Sequence, residues 1–286
     1  MSVPHPRGQV ERAGAAQGLA EVLSALGESK LTDVLPEVIE GCGSSSADAR
    51  EGFSMMWTHL PAILGKRFEP YLEEVLPVLL EGLADDASPV RETCFKGALA
   101  IINTYLESAA ALLLPPLQRG LADDNYRIRQ SSSELLGSLM ARLTGGEYME
   151  VVELGEEVPE DSPLATIPIE QQHALLAAVY IARNDTQPGV RSAASAVWKS
   201  LIANAPKALR IILRALTDQL IEGLSTDDED TQAGAAQALG EVRALDPSTC
   251  CCSLLQPACP RSPNAPSCLP PLTQCSSLHA PAHPMH

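Results

Sequence analysis

Apolar and polar positions along this chain recur with a helical period. In residues 10–26, VERAGAAQGLAEVLSAL, the side chains of Leu19, Val22, Leu23 and Leu26 fall at i, i+3, i+4 and i+7, the stripe of an amphipathic helix. Similar stripes return further on, each opened by a short polar phrase. DDASPVRETC (85–94) is answered by DDNYRIRQSS (123–132), 38 residues later, and more loosely by NDTQPGVRSAA from Asn184. In each, an acidic pair or Asn-Asp is followed by Val/Ile-Arg and then by an apolar helical pattern.

An arginine therefore marks the opening turn of each second helix: Arg12, Arg50, Arg91, Arg129 and Arg191, with Gln232 in the last such place, at steps of 38, 41, 38, 62 and 41 residues. A period near 40 belongs to stacked two-helix units, none of which can bury its apolar face alone, so the fold class expected is an all-α solenoid. The pattern predicts second helices near residues 8–26, 48–64, 88–106, 125–143, 188–204 and 230–245. The first of these reads as the second helix of a unit without its first. Its nonamer GAAQGLAEV (14–22) returns as GAAQALGEV (234–242), identical at seven of nine positions with an offset of 220.

First helices carry Leu-Pro followed by Gly: LPEVIEG (35–41), LPVLLEG (76–82) and LPPLQRG (114–120). Proline inside a helix removes a donor and crowds the preceding turn, so its return at one position predicts a bend built into each unit. The glycine is expected about one turn from the helix end, where small size lets the chain leave for the acidic turn.

The long step coincides with TGGEYMEVVELGEEVPEDSPLATIP (144–168), where Gly, Pro and seven carboxylates interrupt the pattern. This stretch reads as a mobile acidic insertion. Residues 246–286, with nine prolines and no aromatic, have no apolar periodicity and are expected to be a disordered tail. The division expected is a disordered N-terminus (1–7), a repeat array (8–245, with the insertion at 144–168) and the tail (246–286).

Composition narrows the class. Hydrophobic residues make up 45% and aromatics 3%, the mixture of closely packed helices rather than of sheets. The net charge of −16 works against phosphate binding by the chain as a whole, leaving only a local basic patch to touch RNA. No apolar run reaches the ~18 to 20 residues that span a bilayer, and no secretory signal is read at the N-terminus. Six of the eight cysteines lie in the last 37 residues, leaving Cys42 and Cys94 in the body, which reads as reduced, soluble and cytosolic.

The acid-and-arginine turns recur too regularly for a reaction site. Asp86 with Arg91, Asp124 with Arg129 and Asp185 with Arg191 are expected to form a structural ladder, carboxylates near a helix start meeting both backbone donors and the next arginine, and such ladders tie neighbouring units. Lys207, Arg210 and Arg214 follow Pro206 at helical spacing on one face and are the candidate partner-binding residues, for ribosomal RNA or an acidic protein, against the plainer reading of a solvated helix face. Lys66 and Arg67 are a weaker candidate of the same kind. The terminal cysteines and His279, His283 and His286 are zinc-ligand types but lack a paired C-x-x-C, so no metal site and no cofactor is assigned. Phosphate-loop, dinucleotide, metalloprotease and nucleophile-elbow motifs are absent. The paired carboxylates Glu73–Glu74, Asp85–Asp86 and Asp227–Asp228 have no partner in a catalytic motif, and the chain reads as a non-enzyme.

The stack resembles HEAT repeats. The wording GAAQGLAEV (14–22), MMWTHLP (55–61), ALLLPPLQRGL (111–121), DDNYRIRQSSSELLG (123–137), NDTQPGVR (184–191) and VWK (197–199) is similar to the giant HEAT-repeat translational activators of the general amino acid control pathway. That resemblance implies a ribosome-associated, cytoplasmic scaffold that helps activate the kinase phosphorylating the initiation factor alpha subunit, with ribosomes, translation factors and that kinase as partners, and no membrane or DNA. It further implies a segment just after the part similar to a fungal elongation factor, with the kinase-binding stretch further toward the C-terminus, so no kinase-contact residue is carried over. The resembling family usually has an arginine-rich helix start where this chain reads IEQQHALL (169–176), so a basic contact made there by relatives is not carried over. Nuclear-transport and phosphatase-scaffold HEAT proteins share the architecture but not this wording.

Overall fold

A computed structural model describes residues 6–144 and 167–245. Twelve α-helices follow one another among these residues: α1 (Pro6–Leu26), α2 (Glu28–Cys42), α3 (Ala47–Ser54), α4 (Met56–Leu64), α5 (Leu72–Gly82), α6 (Ser88–Thr104), α7 (Leu106–Gly120), α8 (Tyr126–Leu143), α9 (Ile169–Ala182), α10 (Pro188–Leu201), α11 (Ala205–Ser225) and α12 (Glu229–Leu245), with a 3-10 helix, Gly65–Tyr71, leading into α5. The described residues contain no strand. The first unit shows only its second helix, α1. Units two to six pair α2 with α3–α4, α5 with α6, α7 with α8, α9 with α10 and α11 with α12. Second helices pack along neighbours of their own kind as far as α10, α1 on α4, α4 on α6, α6 on α8 and α8 on α10, whereas α12 packs on α11 and α9.

Each predicted second helix is present within a few residues, with two differences. Helix α1 already begins at Pro6, and the second helix of unit two is broken at Met55. There the Met55 carbonyl accepts both the Thr58 hydroxyl (2.7 Å) and the Thr58 N–H (3.1 Å). Pro61 in the following turn has no N–H to offer the Trp57 carbonyl, so the chain tightens locally instead of continuing a regular α-helix. Of the insertion expected at 144–168, only the edges are described: Thr144 caps α8, Ile167 is buried and Pro168 starts α9. The rest of it, the tail 246–286 with its cysteines and histidines, and residues 1–5 lie outside the described residues.

The core runs between the two helix layers and is made of small and branched aliphatic side chains. Aromatics gather at the 3-10 turn, where Phe68 sits 6.5 Å from Trp57 and 6.4 Å from Tyr105, and pair again at Tyr180 and Trp198, 5.2 Å apart. The Tyr105 hydroxyl donates to the carbonyls of Gly65 (2.6 Å) and Pro61 (3.2 Å), which ties α4 to α7 across the 3-10 turn. Burial pushes the Tyr105 phenol up to about 12, so it stays a donor.

The glycine of the first-helix signature does more than let the chain leave the helix. None of Gly41, Gly82 or Gly120 has a positive φ. Each instead lies under a side chain twelve residues on: a Cβ on Gly41 would run into the Phe53 ring, one on Gly82 into Cys94 Sγ, and one on Gly120 into Ser132 Oγ. Gly223 faces Ala235 Cβ in the same register, at 3.2 Å. At these glycines the first and second helices of a unit approach closely, and the residue opposite fills the space that a side chain would need.

Candidate partner-binding surface

Two sets of arginines sit on this scaffold, and the first is the ladder. Its arginines share one device. Nη1 reaches back to the two turn carbonyls six and five residues earlier: Arg50 to Ser44 and Ser45 (2.9 and 3.3 Å), Arg91 to Asp85 and Asp86 (2.6 and 2.9 Å), Arg129 to Asp123 and Asp124 (2.8 and 3.0 Å), and Arg191 to Asp185 and Thr186 (2.8 and 2.7 Å). Gln232 makes the shortened version, Nε2 donating to the Thr226 carbonyl. These carbonyls follow the end of a first helix, where backbone acceptors lack helical partners.

The other edge of the guanidinium bridges to the next unit, but only at alternate steps. Arg50 Nε and Nη2 grip Asp85 at 2.7 and 2.9 Å, and Arg129 grips Asp185 at 2.6 and 3.1 Å. Arg91 and Arg191 make no such bridge among the described residues. Arg12 departs from the pattern, pairing with the buried Glu51 and, at 3.2 Å, with Asp48.

In its turn Asp85 bridges where Asp86 was expected, and Asp185 bridges where expected. Asp123, not the expected Asp124, is the acid held inside its own turn, and among the described residues no arginine bridges to it. Oδ1 of Asp85, Asp123 and Asp185 accepts the N–H two residues on, at 2.8, 2.9 and 2.8 Å, which fixes that carboxylate inside the turn. In the first two turns the next acid faces solvent: Asp124 is exposed, and Asp86 is fully exposed, its carboxylate pairing with Arg127 at 3.5 Å. Burial pushes the Asp85 carboxyl up, but the bonds from Arg50 and from the Ala87 N–H more than offset this and hold it below its ordinary value.

The second set is free. Lys207, Arg210 and Arg214 lie exposed on α11, opposite its buried face of Ala208, Leu209, Ile212, Leu216 and Leu220. The Asn204 side chain accepts the Lys207 N–H at 3.0 Å and starts the helix, so the first cation stands in its opening turns. Among the described residues none of the three meets a carboxylate within ion-pair distance. Exposed Lys199, at the end of α10, flanks the same turn. Sequence reasoning passed over Lys199, although a signal was available: residues 186–217 hold no Asp or Glu in a chain of net charge −16. Lys66 is exposed, whereas Arg67 Nη2 donates to Ser24 Oγ at 3.0 Å and is tied to the end of α1.

Between these sets the first helices part. Helix α9 packs closely along α11, whereas α7 and α9 stand apart where the long step falls. A cleft of about 650 Å³ opens there, with Arg119, Asp124, Gln219 and Glu222 among its lining residues and no His, Cys, Ser or Lys. Nearby, Arg183 lies over the rings of Tyr180 (5.0 Å) and Trp198 (5.5 Å), and the Tyr180 hydroxyl reaches Glu241 at 3.3 Å, joining unit five to unit six.

Comparison with known proteins agrees with this architecture. Residues 12–144 match the EF3 N-terminal HEAT repeat family, so the elongation-factor likeness runs through units one to four instead of ending before this segment. Stalled ribosome sensor GCN1 of Homo sapiens is 36% identical over 252 residues, 84% of this chain and 9% of that protein. The eIF-2-alpha kinase activator GCN1 of Saccharomyces cerevisiae is 37% identical over 238 residues, 81% of this chain and 9% of that protein. Protein ILITYHIA of Arabidopsis thaliana is 37% identical over 240 residues, 82% and 9% respectively. The chain thus spans 9% of the length of each of these relatives. With its helical pairs, its repeating turn device and these likenesses, the chain is an α-solenoid of HEAT repeats, homologous through most of its length to one segment of the GCN1 proteins.

Proposed function

We propose that this chain is a non-enzymatic scaffold of translational control that works in the cytoplasm, associates with ribosomes and helps activate the kinase phosphorylating the initiation factor alpha subunit on amino acid starvation. The names of the relatives support the setting. The observation that carries the ribosome contact is the acid-free run 186–217, with Lys207, Arg210 and Arg214 exposed on one face of α11 in an otherwise acidic chain. A chain of charge −16 is repelled by phosphate, so contact with ribosomal RNA needs a place where cations stand together without acids. The mechanism is geometric: the units hold that face at a fixed position along an extended surface. Kinase contact is assigned to parts of the full array beyond this segment.

The test is ribosome co-sedimentation at two salt concentrations, wild type beside K207E/R210E/R214E. Three phosphate contacts give a log-log salt slope of roughly −2 to −3, taking about 0.7 to 0.9 per contact, and the triple variant should lose most of the binding. Wild-type binding no better than that of a nuclear-transport HEAT array of similar charge would sink the ribosome assignment. Unchanged binding by the triple variant would move the contact elsewhere. The same array stripped of residues 246–286 should keep both its ribosome binding and its melting temperature, because that stretch has no apolar periodicity with which to join a core.

A further inference from the structure

The acid-free run 186–217 holds a single aromatic, Trp198, which is 4% exposed and has Arg183 lying over its ring at 5.5 Å. The aromatics exposed among the described residues, Phe53 and Tyr126, belong to units two and four. The basic face of α11 therefore carries no ring on which an unstacked base could sit. Proteins that hold single-stranded RNA combine cations along the backbone with such rings, and stacking on the rings is the return for ordering a flexible strand.

What the face does carry is a short, rigid row of charge. Lys207, Arg210 and Arg214 stand at i, i+3 and i+7 of one helix, so their Cα atoms rise about 4.5 and 10.5 Å along its axis at about 1.5 Å per residue. Exposed Asp218, one turn beyond Arg214, closes the row. At its other end the Asn204 side chain takes the Lys207 N–H at 3.0 Å and Pro206 has no N–H, so the helix start keeps few donors for an anion and contact falls to the three side chains. Over about 10 Å a duplex presents roughly six phosphates, one per about 1.7 Å of axis in DNA, and a single strand about half as many. The duplex also arrives ordered, so a fixed row of cations meets fixed rows of phosphates without the cost of straightening a strand.

Resting on the ribosome reading above, we propose that this face takes duplex RNA by its phosphates alone, without regard to base sequence, and does not take unpaired strands. Helix α11 lies against the sugar-phosphate backbone and enters no groove, since the major groove of an RNA helix is deep and narrow. Lys207, Arg210 and Arg214 act as charges, so the flat guanidinium of the two arginines is not used to stack on a base.

The test measures binding of the full chain, by fluorescence anisotropy, to an RNA duplex of about 20 base pairs and to oligo(U) with the same number of phosphates, beside co-sedimentation with purified ribosomes. The duplex should bind about tenfold tighter than oligo(U), and a duplex of shuffled sequence should bind within about twofold of the first. K207E/R210E/R214E should lose the duplex and the ribosome together. R210K/R214K, which keeps the charge but not the planar group, should weaken duplex binding by no more than about threefold. Collapse of binding in R210K/R214K, or tighter binding of oligo(U), would mean that bases are stacked and overturns the proposal. Ribosome binding that K207E/R210E/R214E removes, with neither RNA bound, would assign the face to an acidic ribosomal protein; duplex recognition then fails while the ribosome reading stands. Duplex binding without ribosome binding would uphold duplex recognition and sink the ribosome reading, and binding of neither sinks both.

Discussion

Arg129 and Arg210 are the same residue on helices of one array, and their surroundings separate them completely. Arg129 has every edge of its guanidinium engaged, with two turn carbonyls on one side and the Asp185 carboxylate on the other, and pair members only 9% exposed. Arg210 projects into solvent from α11 with no carboxylate beside it among the described residues. Where arginine recurs at the repeat spacing it binds the carbonyls of its own turn, and at Arg50 and Arg129 it also joins units; where it recurs at helical spacing within α11 it stays exposed. The difference is set by what precedes each. Arg129 follows an acidic turn by six residues, and Arg210 follows none.

The comparison breaks most directly at Arg129→Ala, where the largest effect is expected. Truncation leaves the Asp185 carboxylate, 9% exposed, without its guanidinium partner and leaves the Asp123 and Asp124 carbonyls without their donor. Removing one partner of a buried pair costs about 3 kcal/mol or more. In a chain of this size that is a fall of roughly 6 to 12 °C in melting temperature. A fall below about 2 °C would show that the ladder adds nothing to the stack.

Next in size is Gly82→Val. It tests whether the units are positioned by their helix crossings as well as by their arginines. A side chain at 82 must displace Cys94, which is buried between α5, α6 and Ser54. Overpacking of this kind costs about 1 to 3 kcal/mol. If the glycine served only to let the chain leave the helix, Gly82→Val would cost no more than Gly240→Val, where nothing lies within 4 Å.

Acid should then reveal the Arg50–Asp85 bridge. The folded Asp85 carboxyl titrates below its ordinary value, so its contribution is fully present above the unfolded carboxylate range of about 4 and is lost as pH falls through the folded value beneath it. Asp85→Asn should therefore be less stable than wild type at pH 6, and the gap should close between about pH 4 and pH 2. A gap that persists at pH 2 would mean the side chain acts by shape and not by charge.

Much of this arrangement was legible beforehand, and the misses have physical causes. The period of the arginines placed all six second helices, because a helix pair that must stack cannot vary its length freely. The choice between Asp85 and Asp86 was not legible, since both satisfy the same spacing. Only the turn geometry, with Oδ1 bonded to the Ala87 N–H, decides which acid faces the preceding arginine. The signature glycines read as easing the chain out of the helix, and Gly82 and Gly120 do close α5 and α7. That they lie under Phe53, Cys94 and Ser132 depends on how two helices cross, and no local pattern reports it. The same holds for alternation in the ladder: Arg91 and Arg129 have equivalent wording, yet only Arg129 reaches across.

That alternation gives the finest test, a graded series at three arginines. Arg191 keeps the in-turn half of the device, donating to the Asp185 and Thr186 carbonyls, and lacks the bridge. Arg191→Ala should therefore cost about 1 to 2 kcal/mol, the worth of hydrogen bonds from a charged donor without an ion pair. Arg210→Ala should stay within about 0.5 kcal/mol, because only a solvated side chain is removed. Measured as urea midpoints at constant m-value, the order expected is Arg129→Ala furthest below wild type, Arg191→Ala between, and Arg210→Ala indistinguishable from it. Arg191→Ala falling level with Arg129→Ala would mean that the turn carbonyls, not the bridges between units, hold the ladder arginines in place. Arg210→Ala falling with either would remove the claim that the basic face of α11 is free for a partner.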